Sequence, residues 1–249
     1  LYFLADSDGN NHFAKTGLTM KQYDVSVDSR IVGICIYCGG IAKTRDHVPS
    51  KAFLDKPYPE NIPVVPCCSE CNNKFSKDEE YVVCAIECLK CNSTDVNKIE
   101  REKVRSTLLH VPTLQTRIES YSKDLFSDIH NLRTLKIERE RFDNVIRKLV
   151  LGHSFFENSI RSFASIKWQY KLLPRMNSRE LEDFLTPYQL TLSPEVASRA
   201  LHRMILINGE PYLDWEIVQP NLYQYCTSAD GSRIKIIISN YMAIEAYVE

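Results

Sequence analysis

Two Cys-x2-Cys pairs, Cys35-Ile-Tyr-Cys38 and Cys68-Ser-Glu-Cys71, constrain this chain more than any other feature. Two thiolates three positions apart can converge on one ion, and two such pairs complete a tetrahedral zinc site. Such a site pins two distant segments together, so the fold must return on itself between them. The 29 intervening residues exceed what a compact zinc ribbon needs, so the loop carries something of its own. Eight of the nine cysteines fall within residues 35–91, with only Cys226 outside. A secreted disulfide scaffold is usually shorter and spreads its cysteines. This clustering, without a basic-then-apolar leader, predicts a reducing compartment, the cytoplasm, and thiolates on Zn²⁺. Cys67 competes for the second pair, but only Cys68 stands three positions before Cys71. Cys84, Cys88 and Cys91 repeat at i, i+4, i+7, the core face of a helix.

Between the pairs lie groups able to hold a hard cation and deprotonate water. His47 can accept a proton at neutral pH. Asp46 beside it offers an anionic oxygen, the ligand type preferred by Mg²⁺. The amide oxygen of Asn72, just after the second pair, is a neutral oxygen ligand of the same class. Asn73 competes with it, and a step of one residue turns a helix by ~100°, so only one of the two can face Asp46. Adjacent strand residues point to opposite faces, so Asp46 and His47 share a site only at a strand end or twist.

The wider organisation is coarse but readable. Residues 1–30 read as an N-terminal extension, with Met20 as one natural start and residues 1–19 as either a remnant or the tail of something longer. Residues 48–66 hold five of eleven prolines and predict an extended loop. Asn61-Ile-Pro-Val-Val-Pro66 reads as a short strand. Ser76-Lys-Asp-Glu79 matches a capping box opening a helix to about Lys90. Residues 93 to about 205 read as mostly helical, with amphipathic stripes at Phe142, Val145, Ile146 and Leu149 and over Glu195–Ile207. From Trp215 the pattern turns to strands at 215–218, 222–225 and 233–238, with Tyr241–Val248 as a fourth. No apolar run approaches the ~18 residues of a membrane span.

Asp46-His47-Val-Pro49, Asn61-Ile-Pro-Val-Val and Cys68-x2-Cys71-Asn72-x-Lys74 resemble the zinc-containing branch of the HNH endonucleases, of bacterial stand-alone type, with the ββα-metal (His-Me finger) fold. The match covers about residues 31–80. The resemblance implies that His47 is the general base and that Asp46 and Asn72 bind a catalytic Mg²⁺ or Mn²⁺. It implies that Asn61 braces the histidine loop, and that Cys35, Cys38, Cys68 and Cys71 hold structural zinc only. Asn rather than His at the last motif position favours Mg²⁺ or Mn²⁺ over softer ions.

The expected protein is therefore α+β. A zinc-stapled ββα-metal nuclease module occupies residues 31–92, and a helical region plus a small C-terminal antiparallel sheet occupies 93–249. The implied activity is hydrolysis of DNA to 5′-phosphate and 3′-hydroxyl ends. The net charge of −1 hides a surplus of seven positive charges in residues 101–180, which suits phosphate contact. Lys43, Arg45, Lys51, Lys74 and Lys77 are candidate phosphate contacts near the motif. The rival expectation is a zinc-knuckle module that binds nucleic acid or protein without cutting. A third is a nuclease held silent until a regulatory partner docks on 93–249, as in anti-phage defence or restriction.

Overall fold

The computed structural model describes residues 33–60, 62–122, 138–159, 165–190 and 199–248. The N-terminal extension and Asn61 lie outside the described residues.

Strand β1 (Thr44–His47) pairs antiparallel with β2 (Val64–Cys67), placing Asp46 opposite Val65 and His47 opposite Val64. Helix α1 (Ser69–Lys90) follows directly. The sequence expects this helix to open at Ser76, and the structure corrects that by seven residues. Cys68 is the N-cap, its sulfur accepting the Cys71 N–H at 3.4 Å, so Ser76 and Glu79 lie inside the helix. Cys84 and Cys88 are buried as expected, and Cys91 is the half-buried C-cap.

Helices α2 (Glu102–His110) and α3 (Pro112–Ser122) lead to α4 (Arg139–Asn158). The α4 stripe of Phe142, Val145, Ile146 and Leu149 is fully buried. Beyond it the helical expectation fails in part. Residues Ile166–Leu172 form strand β3, helix α5 (Ser178–Leu185) follows, and β4 (Tyr188–Gln189) opens a second small sheet. Only Arg199–His202 (α6) of the expected Glu195–Ile207 helix is helical among the described residues, since 195–198 lie outside them. Met204–Ile207 is strand β5, joined to β6 (Glu210–Leu213) by Asn208-Gly209. Both linker residues have positive φ, +53° and +85°, as a two-residue hairpin loop requires.

The C-terminal strands fall close to expectation: β7 (Glu216–Gln219), β8 (Tyr223–Thr227), β9 (Arg233–Ile238) and β10 (Met242–Val248). They form an antiparallel sheet in the order β3-β10-β9-β8-β7, and the smaller sheet runs β4-β6-β5. One continuous apolar core runs from Cys35 to Ala246 and includes α1, α4 and the large sheet. The C-terminal region therefore packs into the same core as the segment that bears the motif.

Two polar ties fix this packing. The Gln219 side chain accepts from Asp55 N at 2.9 Å and donates to Asp55 O at 3.0 Å, holding the β1–β2 loop against the large sheet. Buried Arg101 donates to Asp55 at 2.9 and 3.0 Å, and its Nη1 lies 3.8 Å from Glu87, which accepts from the Ser239 hydroxyl. No helix among the described residues is long and apolar enough to cross a membrane.

Candidate functional site

The four motif cysteines meet. Their sulfurs all lie within 4.8 Å of one another, and Cys38 and Cys68 are 3.7 Å apart. With Zn–S bonds of about 2.3 Å, tetrahedral ligands stand about 3.8 Å apart, so this set fits a zinc ion. The first pair sits on a tight turn that Gly39 closes at φ +80°, leaving Gly40 N–H 3.4 Å from the Cys38 sulfur. The second pair opens α1, where the helix dipole favours thiolate. Burial raises the Cys35 thiol, but backbone hydrogen bonds from Cys68, Cys38 and Tyr37 bring it down to about 7. Burial and neighbouring thiols push Cys71 in the opposite direction, well above its ordinary value. Four thiolates cannot share this space without a cation. Cys67 is outside this set of four: its buried sulfur donates to Cys68 O at 3.2 Å.

A cleft of about 300 Å³ is lined by Asp46, His47 and Asn72 together with Glu79, Lys51 and Lys103. His47 ends β1, which lets it share a site with the preceding Asp46 despite strand alternation. The α1 residues facing the cleft are 72, 76, 79, 80, 83 and 84, a helical stripe. Asn72 is on that stripe, whereas Asn73 is exposed and off it. The Asn72 side-chain amide donates weakly to Arg45 O at 3.5 Å. Lys74 and Lys77 also fall off the stripe. With Lys43 and Arg45, they are exposed but outside the cleft lining, so Lys51 alone of the five expected phosphate contacts lines it.

Two features qualify His47 as a base. Burial lowers its pKa first, and the charges of Lys51 and Lys148 add to this against the pull of Asp46, so the neutral ring is favoured at pH 7. Its Nε2 is buried without a hydrogen-bond partner. A buried polar atom left in this state normally meets water or a ligand.

Asp46 is more constrained than its sequence context suggests. It is only 4% exposed, its Oδ2 accepts from the Tyr37 hydroxyl at 2.8 Å, and its Oδ1 lies 2.9 Å from Lys148 Nζ. The same ammonium bonds Glu79, and it lies 5.6 Å from the centre of the Phe75 ring. Burial opposes the charge on Lys148, yet the Glu79 and Asp46 carboxylates hold it above its ordinary range. Burial raises the Glu79 carboxyl against the pull of Lys148.

Among the described residues, the four cysteines are the only close group of three or more Cys, His, Asp or Glu ligands. The cleft lining offers Asp46 and Asn72 as oxygen ligands. That suits Mg²⁺, which keeps several waters and uses one or two carboxylates plus substrate phosphate. Each Asp46 oxygen retains a lone pair beyond its named contact, as a ligand to a hard cation requires.

Sequence reasoning missed Glu79, Lys148, Tyr37 and Lys103. Glu79 was read as the end of a capping box, although it stands seven residues after Asn72 on the same helix face. Lys148 follows Val145 by three, a buried position in the α4 stripe. No protein-family model, curated protein or solved structure matches the chain.

Proposed function

We propose that this protein is a metal-dependent HNH-type endonuclease that hydrolyses phosphodiester bonds in DNA and is stapled by a structural zinc. The observation that carries this is the unpartnered Nε2 of a neutral His47, in one cleft with Asp46 and Asn72 and in a β-β-α order beside four clustered cysteines. Water attacks phosphorus as His47 Nε2 takes its proton, the bond to the 3′-oxygen breaks, and that oxygen is protonated from solvent. Asp46 and Asn72 would hold the Mg²⁺ or Mn²⁺, which supplies positive charge for the transition state and the leaving oxygen. Lys51 and Lys103, on the same cleft, draw the phosphate backbone in. The zinc thiolates call for a reducing compartment.

One observation favours the rival reading of a module that binds without cutting: each Asp46 oxygen is already engaged, by Tyr37 and by Lys148. A neutral histidine with a buried open nitrogen weighs more, because a pure binder has no use for it. Plasmid incubated with the purified chain separates the two. Nicking or linearisation with Mg²⁺ or Mn²⁺, abolished by EDTA, supports the nuclease. Retarded but intact plasmid under every metal supports the binder.

A further inference from the structure

We infer that Lys148 is a positioning residue of the cleft, whose ammonium orients Asp46 and holds the Asp46–Glu79 pair to a single net negative charge. The inference rests on the proposed nuclease reading, but it can fail separately from it. Lys148 is 1% exposed and bridges the two carboxylates, one on β1 and one on α1. A buried lysine reaching two acidic groups in a candidate metal cleft is more than a strut. Without the ammonium, the two bare carboxylates carry two negative charges, and a divalent cation would bind across them. With Lys148 in place, a single charge remains, and the Asp46 oxygens are held at fixed positions by Lys148 and Tyr37.

The helix that supplies Lys148 is itself fixed close to the motif. Gly152 lies one turn further along α4, and a Cβ placed there would come within 2.5 Å of Val48, the residue after His47. Lys148 and Gly152 share one helix face, so the lysine and the closest backbone approach both address residues 46–48. The candidate active centre thus includes α4, although the motif ends some sixty residues earlier in the chain.

A positioning role makes metal binding and turnover move in opposite directions. On zinc-loaded full-length protein, Mn²⁺ titration followed by electron paramagnetic resonance reads the cleft without DNA. Lys148→Gln should bind Mn²⁺ about tenfold more tightly, since a buried opposing charge has been removed. Plasmid cleavage should fall at least tenfold, because Asp46 loses its orientation. Glu79→Gln/Lys148→Gln should bring Mn²⁺ affinity back to the wild-type level, and Lys148→Arg should keep it there. If Lys148→Gln fails to fold, Glu79→Gln, which leaves Asp46 and Lys148 with no net charge, carries the affinity test and should bind Mn²⁺ about tenfold more weakly. Unchanged affinity and cleavage in a folded Lys148→Gln protein would overturn the inference. So would a parallel loss of both, or a double variant that stays as tight as the single. Wild type that binds Mn²⁺ and shows the affinity pattern without cutting DNA would remove the nuclease reading and leave the charge-setting role. Wild type that cuts DNA without the opposed effects would do the reverse.

Discussion

The cysteine cluster and the candidate cleft are both built around the β1–β2–α1 segment, and both crowd acidic groups into a small space. They solve that problem differently. The cysteines gather four thiols within 4.8 Å, a set whose thiolates a bound zinc ion would balance. The carboxylates of Asp46 and Glu79 carry their own cation, Lys148. The knuckle is built from residues 35–71 and depends on metal for its cohesion. The cleft depends on a lysine 76 residues downstream of Asn72, on α4.

The largest expected effect falls on the knuckle. Structural zinc supplies about 10 kcal/mol or more in small finger peptides. Cys38→Ser, or stripping zinc with a strong chelator, should therefore unfold the knuckle and the start of α1. Elemental analysis should give about one zinc per wild-type chain. Metal-free protein with unchanged melting would break the comparison at its first term.

Next comes the internal cation. Removing one partner of a buried ion pair typically costs about 3–5 kcal/mol. Lys148→Ala should lower the denaturation midpoint accordingly while leaving zinc content intact. Equal loss of zinc in this variant would mean that the two sites are not independent.

Gly152→Ala sharpens the claim that α4 sits on the motif. Its Cβ would meet the buried Val48 side chain at 2.5 and 2.7 Å, with no flexible tip to move aside. Overpacking of this kind costs about 1–3 kcal/mol. A destabilised protein with a perturbed His47 ring signal by NMR is the expected outcome.

The smallest effect is graded with pH and lies away from both sites. His153 is buried between α4 and β8, with Nε2 2.8 Å from the Tyr223 hydroxyl and its ring stacked on Tyr225. Burial lowers its pKa to about 3, against an ordinary value of 6.5. The unfolded chain therefore binds a proton that the folded chain refuses. Stability is full above pH 6.5 and declines as pH falls from there toward 3, by up to about 1.4 kcal/mol per unit. Glu157 is held below its ordinary range: burial opposes this, but Arg203 and Arg199 outweigh it, so its contribution is lost only at lower pH. His47, whose pKa burial also lowers, adds to the slope in denaturant titrations between pH 6.5 and 5, so His153→Gln should flatten it in part.

What could be read from the sequence follows the same division. The cysteine set, Asp46-His47 and Asn72 were legible because their spacing is local, and the four C-terminal strands were legible from β-branched and aromatic runs between turns. Lys148 was not, because nothing in a linear pattern couples it to Glu79, 69 positions away. Its charge hid inside an apolar stripe. Strand β3 alternates Ile166, Trp168, Tyr170 and Leu172 with polar residues, a period of two passed over inside a region read as helical. The β5–β6 hairpin carried its own signal in Asn208-Gly209, but the preceding apolar residues fitted a helical stripe as well. The start of α1 was displaced because a cysteine, whose thiol is a weak acceptor, serves as its cap. The β-β-α order was expected and is present. The catalytic metal and the DNA-cutting activity rest on the proposal.

The most direct test of that proposal compares wild type with His47→Ala in plasmid cleavage under Mg²⁺, with zinc content and melting measured on the same samples. His47 is not a zinc ligand and lends no hydrogen bond from Nε2, so the variant should keep its zinc and its fold. Loss of a general base lowers rates about 10²–10⁴-fold, and cleavage should fall below detection. Equal cutting by the two proteins, or no cutting by wild type with any divalent metal, would contradict the account.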